Sequence, residues 1–264
     1  MVRYWQAWTP VRKLANIPTT PAEVIAGMQD LQVRNRHLLS VLFSSWIGQA
    51  KKSRERPLIA IWLSTFHPVF LWIKWWLAGV AGSGAPILRS REALLEWATK
   101  SVSVDGAWLE FGVYQGASIN LLARLATGTV YGFDSFEGLP ATWNPGFAKG
   151  DLSMRGSLPP CETNVVLFRG WFSQTLPAFL RSHAPLKVAF LHIDCDLYSS
   201  TSQVFSHLSS NLVRGTIVVF DEYCSSLAVD DEARAFREFV AKGNRRFHFI
   251  GLSAQGSVAV KIVE

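Results

Sequence analysis

Leu109-Glu-Phe-Gly-Val-Tyr-Gln-Gly-Ala-Ser118 is the stretch of the sequence that indicates the fold. It continues an apolar run that starts at Ala107 and leads into a turn with two glycines. Residues 117–125 then show apolar residues at helical intervals. A buried strand, a tight turn and a helix in this order form the first half of a βαβ unit. The stretch therefore predicts an α/β domain with a parallel sheet.

The alternation of strands and helices continues through the rest of the sequence. Segments with helical periodicity separate most of the predicted strands, and a turn at Gln255-Gly256 joins the last two into a hairpin. The further strands are predicted at residues 129–133, 165–168, 187–193, 216–220, 248–252 and 258–263. The predicted fold class is therefore α/β and Rossmann-like, with a mostly parallel seven-stranded sheet and a C-terminal antiparallel hairpin.

Acidic residues and glycines follow nearly every predicted strand at its carboxyl end, the edge at which open α/β sheets bind ligands. In chain order they are Glu110, Gly112, Gly116, Asp134, Asp194, Asp196, Asp221 and Glu222. A carboxylate in such a crevice is costly to desolvate without a partner, so packing alone does not explain this series. The sequence therefore predicts a ligand site at this edge of the sheet.

The turn after the first strand reads E-x-G-x-x-x-G, which differs from the G-x-G-x-x-G of dinucleotide-binding proteins. Two glycines beside an acid suit a cationic or hydroxyl-bearing ligand better than a phosphate. Asp134 stands 18 residues beyond Gly116, where an acid that ends the second strand can accept hydrogen bonds from both ribose hydroxyls. These features indicate a nucleoside without phosphates, and S-adenosylmethionine (SAM) is the common cofactor of that description.

Four motifs resemble, in order and spacing, the macrocin O-methyltransferase family of class I SAM-dependent enzymes. They are residues 109–118, Gly132-Phe-Asp-Ser-Phe-Glu-Gly-Leu-Pro140, Leu191-His-Ile-Asp-Cys-Asp-Leu-Tyr-Ser-Ser-Thr201 and Val218-Val-Phe-Asp-Glu-Tyr223. The resemblance begins near residue 90, reaches residue 264 and includes Arg169-Gly-Trp-Phe172, similar to the family's loop beside the adenine. It implies a Mg²⁺-dependent O-methyltransferase that acts on a hydroxyl of a sugar or of a glycosylated natural product.

The resemblance also implies which residues bind the cofactor. Glu110 and Gly112 would line the methionine end of SAM, and Asp134 would hold its ribose. Ser135 and Phe136 would lie near the adenine. The remaining residues of the implied cofactor site are Tyr114, Gly116, Ser118, Gly170, Trp171 and Asp194.

Asp194, Asp221 and Glu222 resemble the family's magnesium ligands. The family usually has Gly in place of Cys195 and Asp in place of Glu222, but neither difference removes an oxygen ligand. Carboxylates suit a hard divalent cation, which can orient a substrate hydroxyl and lower its pKa. The resemblance implies Asp194 as the general base, with His192 on the same strand face as the alternative. A packed or hydrogen-bonded role for His192 is favoured.

Composition excludes several other classes of protein. The chain has 264 residues, enough for one α/β domain and an appendage. Residues 1–100 contain 13 Lys and Arg against 5 Asp and Glu, whereas residues 101–264 contain 13 against 15. The basic charge thus lies outside the predicted catalytic domain, which argues against a nucleic-acid-binding protein. Three cysteines without a CxxC pair indicate a reducing, cytoplasmic compartment.

Residues 1–86 are predicted to form a helical, basic and Trp-rich region ahead of the catalytic domain at 87–264. Residues 58–81 are largely apolar and long enough to cross a bilayer, but His67-Pro68 interrupts them. Three interpretations stay open: a peripheral contact of residues 51–81 with the inner face of the membrane, a lid or homo-oligomer contact, and a single span. The family resemblance favours a homo-oligomer.

Two alternative functions follow from the same residues. Asp194-Cys-Asp196 also fits the D-x-D triplet of metal-dependent glycosyltransferases, but no basic residue for a diphosphate lies between Phe190 and Gln203. A catalytically inactive, membrane-tethered SAM-binding scaffold would have lost its metal ligands, and all three acids are present. The favoured prediction is a methyltransferase whose acceptor is a small molecule or a glycan.

Overall fold

A computed structural model of the chain describes residues 80, 83–144, 146–224 and 231–264. The predicted helical region at 1–86, and its membrane or oligomer contact, therefore lies almost entirely outside the described residues and stays a prediction. Within the described ranges, no helix combines the length and the apolar character that crossing a membrane requires.

The described chain alternates strands with helices from residue 87 onward. The strands are β1 (Ile87–Leu88), β2 (Ala107–Phe111), β3 (Val130–Asp134), β4 (Val165–Arg169), β5 (Val188–Ile193), β6 (Leu212–Phe220), β7 (Phe247–Ser253) and β8 (Val258–Ile262). The helices are α1 (Arg91–Thr99), α2 (Ala117–Leu125), α3 (Phe172–Ser182), α4 (Tyr198–Leu208) and α5 (Asp231–Gly243).

All eight strands form one sheet in the order β1-β7-β8-β6-β5-β2-β3-β4. Every neighbouring pair is parallel except the two that involve β8, which runs antiparallel to β6 and to β7. The predicted Rossmann-like sheet with a C-terminal antiparallel hairpin is confirmed. Chain order reverses beside β2, where β5 lies on one side and β3 on the other, so the carboxyl ends of these strands flank a crevice.

The sheet has one more strand than the sequence predicts. The additional strand is β1, whose two residues pair in parallel with Leu252 and Ser253 of β7. Two residues are too short to show the alternation or the apolar run by which a strand is recognised in a sequence. The sheet therefore has eight strands among the described residues, and the predicted number of seven is wrong because it omits this edge strand.

Hydrophobic side chains cover both faces of the sheet, as expected of a parallel sheet between helical layers. Successive residues of β6 show the division, because Ile217 packs on the face covered by α1 and α2, and Val218 packs on the face covered by α3, α4 and α5. The second face is rich in aromatic rings, with Phe111 stacked on Phe133. Both layers fix the strands, so the residues just past the strand ends have defined positions.

Candidate active site

Asp194 and Asp221 occupy equivalent positions just beyond β5 and β6. The amide of Asp194 donates to the carbonyl of Phe111 at 2.9 Å, and the amide of Asp221 donates to the carbonyl of Ile193 at 2.9 Å. Each acid therefore continues the ladder of the neighbouring strand by one bond. The parallel register brings the two carboxylates together, as the sequence predicts.

Arg91 joins these two carboxylates. Its Nη1 atom lies 2.8 Å from Oδ2 of Asp221 and 3.4 Å from Oδ2 of Asp194. Burial and the neighbouring Asp221 raise the pKa of Asp194 well above its ordinary value, and Arg91 opposes this rise. Burial lowers the pKa of Arg91, but the attraction of both carboxylates outweighs it and raises that pKa. The two acids thus repel each other, and a cation between them relieves the repulsion.

His192 belongs to a buried polar network one residue inside the rim. Its Nδ1 atom lies 3.0 Å from Oε2 of Glu110, and Oε1 of Glu110 accepts a hydrogen bond from the Ser118 hydroxyl at 3.0 Å. Glu110 and His192 are fully buried. The Nε2 atom of His192 is buried and has no hydrogen-bond partner among the described residues. The imidazole is thus oriented by Glu110 and keeps one nitrogen available.

One ligand atom from each of His192, Asp194 and Asp221 lies within 4.8 Å of the other two. This spacing is compatible with a single metal ion. Two carboxylates suit magnesium, and imidazole is a ligand for transition ions. The sequence places His192 with the bases and not with the ligands, so its membership in this group is a new observation.

Glu222, the third predicted ligand, is outside that group. Its amide donates to Oε2 of Glu232 at 2.9 Å, so the start of α5 is tied to the end of β6. Glu232 is fully buried, and burial raises its pKa well above the ordinary value. Sequence reasoning missed this carboxylate, because an acid in the first turn of a helix usually faces solvent. The role of Glu222 as a ligand stays a prediction.

Asp134 organises the turn predicted to bind SAM. Its Oδ2 atom accepts hydrogen bonds from the amides of Val113 at 2.8 Å and Tyr114 at 2.9 Å, and its Oδ1 atom accepts one from the amide of Phe136 at 2.7 Å. The carboxylate therefore braces the turn after β2 and the turn after β3. Tyr114 and Phe136 both have positive φ, 47° and 57°, a backbone strain that these bonds offset.

Gly112 and Gly116 begin and end this turn with φ of 90° and 83°. A Cβ at Gly112 would lie 2.6 Å from the carbonyl carbon of Asp194 and overlap its oxygen. A Cβ at Gly116 would lie 3.3 Å from the ring of Pro159. Gly112 therefore lets the turn after β2 pass directly against the turn after β5. The predicted cofactor turn and the acidic pair are neighbours because of this contact.

The other predicted cofactor residues lie at the same edge of the sheet. Ser135 is buried and its hydroxyl oxygen accepts from the Glu137 amide at 3.1 Å. The amide of Gly170 donates to the carbonyl of Asp134 at 2.9 Å, which places Trp171 just beyond β4 with 36% of its surface exposed. The carboxyl ends of β2, β3 and β4 thus gather the predicted nucleoside-binding residues.

Comparison with known proteins finds similarity to methyltransferases. Residues 109–223 match the family model described as a methyltransferase domain. Demethyldecarbamoylnovobiocin O-methyltransferase of Streptomyces niveus is 28% identical over 51% of this chain. The matched part covers 59% of that relative's length.

Solved structures show the same fold. The calicheamicin methyltransferase CalS11 superposes with a TM-score of 0.54 and 22% identity, over 64% of this chain and 77% of that one. The O-methyltransferase NovP superposes with a TM-score of 0.50 and 24% identity, over 66% of this chain and 80% of that one. The described chain therefore has the class I methyltransferase fold, and its residues 109–223 are similar to a methyltransferase domain.

Proposed function

We propose that the chain is a SAM-dependent O-methyltransferase that methylates a hydroxyl of a sugar or of a glycosylated natural product. The contact of Gly112 with the backbone of Asp194 carries this proposal, because it puts the predicted cofactor turn beside the acidic pair. The relatives support the acceptor class, since their names refer to novobiocin and calicheamicin chemistry. Within this proposal, the resemblance to the macrocin O-methyltransferase family suggests the subgroup of O-methyltransferases to which the chain is most similar.

The residues around the turn fit SAM. Glycines at positive φ let the backbone approach a ligand closely, and the acids beside them suit a sulfonium and hydroxyl groups. When bound, SAM supplies an electrophilic methyl group on sulfur. Glu110 is fully buried and is hydrogen-bonded to Ser118 and His192, so its proposed contribution is to hold the strand end that lines the methionine portion of SAM.

The acidic pair fits a divalent cation. Asp194 and Asp221 offer oxygens within 4.8 Å of a ring nitrogen of His192, and the Nε2 atom of that ring is buried without a hydrogen-bond partner among the described residues. We propose Mg²⁺ held by Asp194 and Asp221, with Glu222 as the further ligand that the sequence predicts. A bound divalent cation lowers the pKa of an attacking hydroxyl and orients it.

Asp194 is the proposed general base. Its side chain is 22% exposed at the crevice, whereas that of His192 is fully buried. This carboxylate can therefore be reached by the proton of a substrate hydroxyl, as a general base requires. Asp194 would accept the hydroxyl proton, while the methyl–sulfur bond of SAM would break as the methyl–oxygen bond forms and S-adenosylhomocysteine would leave. His192 is proposed to hold the geometry of the acidic pair through its bond to Glu110.

Replacing His192 by Gln tests that division of roles. We expect kcat to fall about 10–50-fold, because the orientation of the pair is loosened while the base stays in place. The pH dependence of kcat should keep its shape, since Asp194 still titrates. A loss of about 10³-fold together with loss of the acidic limb would make His192 the base instead.

Replacing Asp134 by Ala should weaken SAM binding about 30–100-fold and lower the free energy of unfolding by about 2–4 kcal/mol. Three backbone amides lose a charged acceptor, so the turn after β2 loses its brace. Calorimetric titration with SAM and urea unfolding measure the two effects. Asp105→Ala, at an exposed position before β2, is the matched control and should change neither.

Calorimetry with SAM, with and without Mg²⁺, tests the proposed function directly. We expect one SAM site per chain, and release of S-adenosylhomocysteine only when a suitable sugar acceptor and a divalent cation are both present. A scaffold would bind SAM without turnover. A wild-type protein that does not bind SAM would contradict the proposal. Cytoplasmic location, peripheral membrane contact through residues 51–81 and homo-oligomerisation stay predictions.

A further inference from the structure

Arg91 lies where a cation between Asp194 and Asp221 would lie. Its guanidinium is within 4 Å of both carboxylates, yet it comes from α1, far from either acid in the sequence. None of the roles proposed above uses this residue. Among the described residues, Arg91 is the one whose side chain forms ion pairs with both Asp194 and Asp221.

The backbone holds Arg91 in this place. Ser90 caps α1 by accepting the Ala93 amide at 3.2 Å, and the Arg91 amide donates to Oε1 of Gln255 at 2.8 Å. Gln255 lies in the turn between β7 and β8. The Ser257 hydroxyl of the same turn donates to Oδ1 of Asp221 at 3.3 Å. One turn thus anchors both the start of α1 and one of the two acids.

The guanidinium of Arg91 also has a third carboxylate, that of Glu92, within reach. Its side chain is 29% exposed, and its Nε atom lies 3.7 Å from Oε1 of Glu92, whose side chain is 58% exposed. A rotation of the long Arg91 side chain toward Glu92 would move the guanidinium away from Asp194 and Asp221. The anchored backbone would stay in place. The released charge would then be paired at the surface.

We propose that Arg91 is an intramolecular competitor of the divalent cation. It neutralises Asp194 and Asp221 when no ion is bound, and it moves out toward Glu92 when an ion enters. The energy of its two ion pairs must be given up on metal binding, so Arg91 sets the metal affinity of the site. This inference rests on the proposed function only through the metal site, and it does not require SAM or the acceptor.

Mn²⁺ binding, followed by electron paramagnetic resonance of the free ion without SAM or acceptor, tests the proposal. We expect Arg91→Gln to bind Mn²⁺ at least about tenfold more tightly than the wild type, because a competing charge is gone. Arg89→Gln removes an exposed charge two residues away and should leave the Kd within about twofold. An Arg91→Gln affinity equal to or weaker than wild type overturns the proposal.

Thermal unfolding and a second pair of variants exclude a folding artefact. Arg91→Gln should melt at a lower temperature than wild type without metal, and added Mn²⁺ should raise its melting temperature more than that of wild type. Glu92→Gln removes the outer partner and should weaken Mn²⁺ binding about two- to fivefold, whereas Glu96→Gln, one turn further along α1, should not. Equal effects of the two Glu variants would contradict the outward movement.

Failure of this inference and failure of the proposed function are distinguishable. If neither the wild type nor Arg91→Gln binds Mn²⁺, the competitor role is wrong, whatever the SAM titration shows. If Mn²⁺ binds as expected but SAM does not, the metal site and the role of Arg91 stand and the methyltransferase proposal falls.

Discussion

Asp194→Asn should lower kcat for methyl transfer by about 10³-fold or more, a larger loss than the one expected for His192→Gln. The amide cannot accept the hydroxyl proton, and it is a weaker ligand for a divalent cation. The backbone of Asp194, which contacts Gly112, is unchanged. SAM affinity should therefore stay within about tenfold of wild type, as measured by calorimetry beside the turnover assay.

A matched control variant distinguishes loss of the catalytic carboxylate from a general effect of removing one negative charge. Asp105→Asn removes one carboxylate at the opposite edge of the sheet and should keep wild-type turnover. Arg91 would be left with Asp221 in Asp194→Asn, so the fold should persist, which circular dichroism checks. If Asp194→Asn kept more than about a tenth of wild-type turnover, neither the base nor the ligand role could stand.

The strands and the acidic residues at their ends could largely be predicted from the sequence, because an apolar run followed by polar residues marks the end of a strand. The predicted starts and ends of β3, β5 and β8 differ from those in the structure by at most one residue, since apolar runs stop where polar rim residues begin. In a parallel sheet those ends meet at one edge, so Asp194 and Asp221 could be expected to approach each other. The two-residue β1 escaped prediction because nothing in so short a segment is periodic.

The groups that complete the site could not be predicted, for a different physical reason. Arg91 pairs with an acid 103 residues away, and its neighbours in the sequence show only the start of a short helix. Burial of Glu232 likewise depends on how α5 packs against the end of β6. Contacts of this kind arise from tertiary packing, which local patterns of residue type do not encode.

Asp134 shows how a residue that is predicted to bind the cofactor can also have a structural role. The sequence assigns it to the ribose, yet its carboxylate already accepts three backbone amides. A carboxylate has about four acceptor positions, so it can brace both turns and still accept from a hydroxyl. The proposed cofactor site is thus preorganised by the acid that is predicted to bind the ligand.

Gly112→Ala should be the most destructive single substitution in the described chain near the site. The added Cβ overlaps the carbonyl of Asp194, a backbone group that cannot rotate away, and alanine is strained at a φ of 90°. Both effects act on the junction of β2 and β5. We expect a loss of about 4 kcal/mol or more, a large part of the stability of an ordinary domain, measured by urea unfolding.

Gly128→Ala is the control, because it makes the same chemical change where nothing lies within 4 Å. It lies in an exposed turn before β3 and should alter the free energy of unfolding by less than about 1 kcal/mol. If Gly112→Ala were as stable as Gly128→Ala, the turn after β2 could not lie against Asp194. The predicted cofactor turn and the acidic pair would then not be neighbours, and a methyl donor at one could not reach a hydroxyl held at the other.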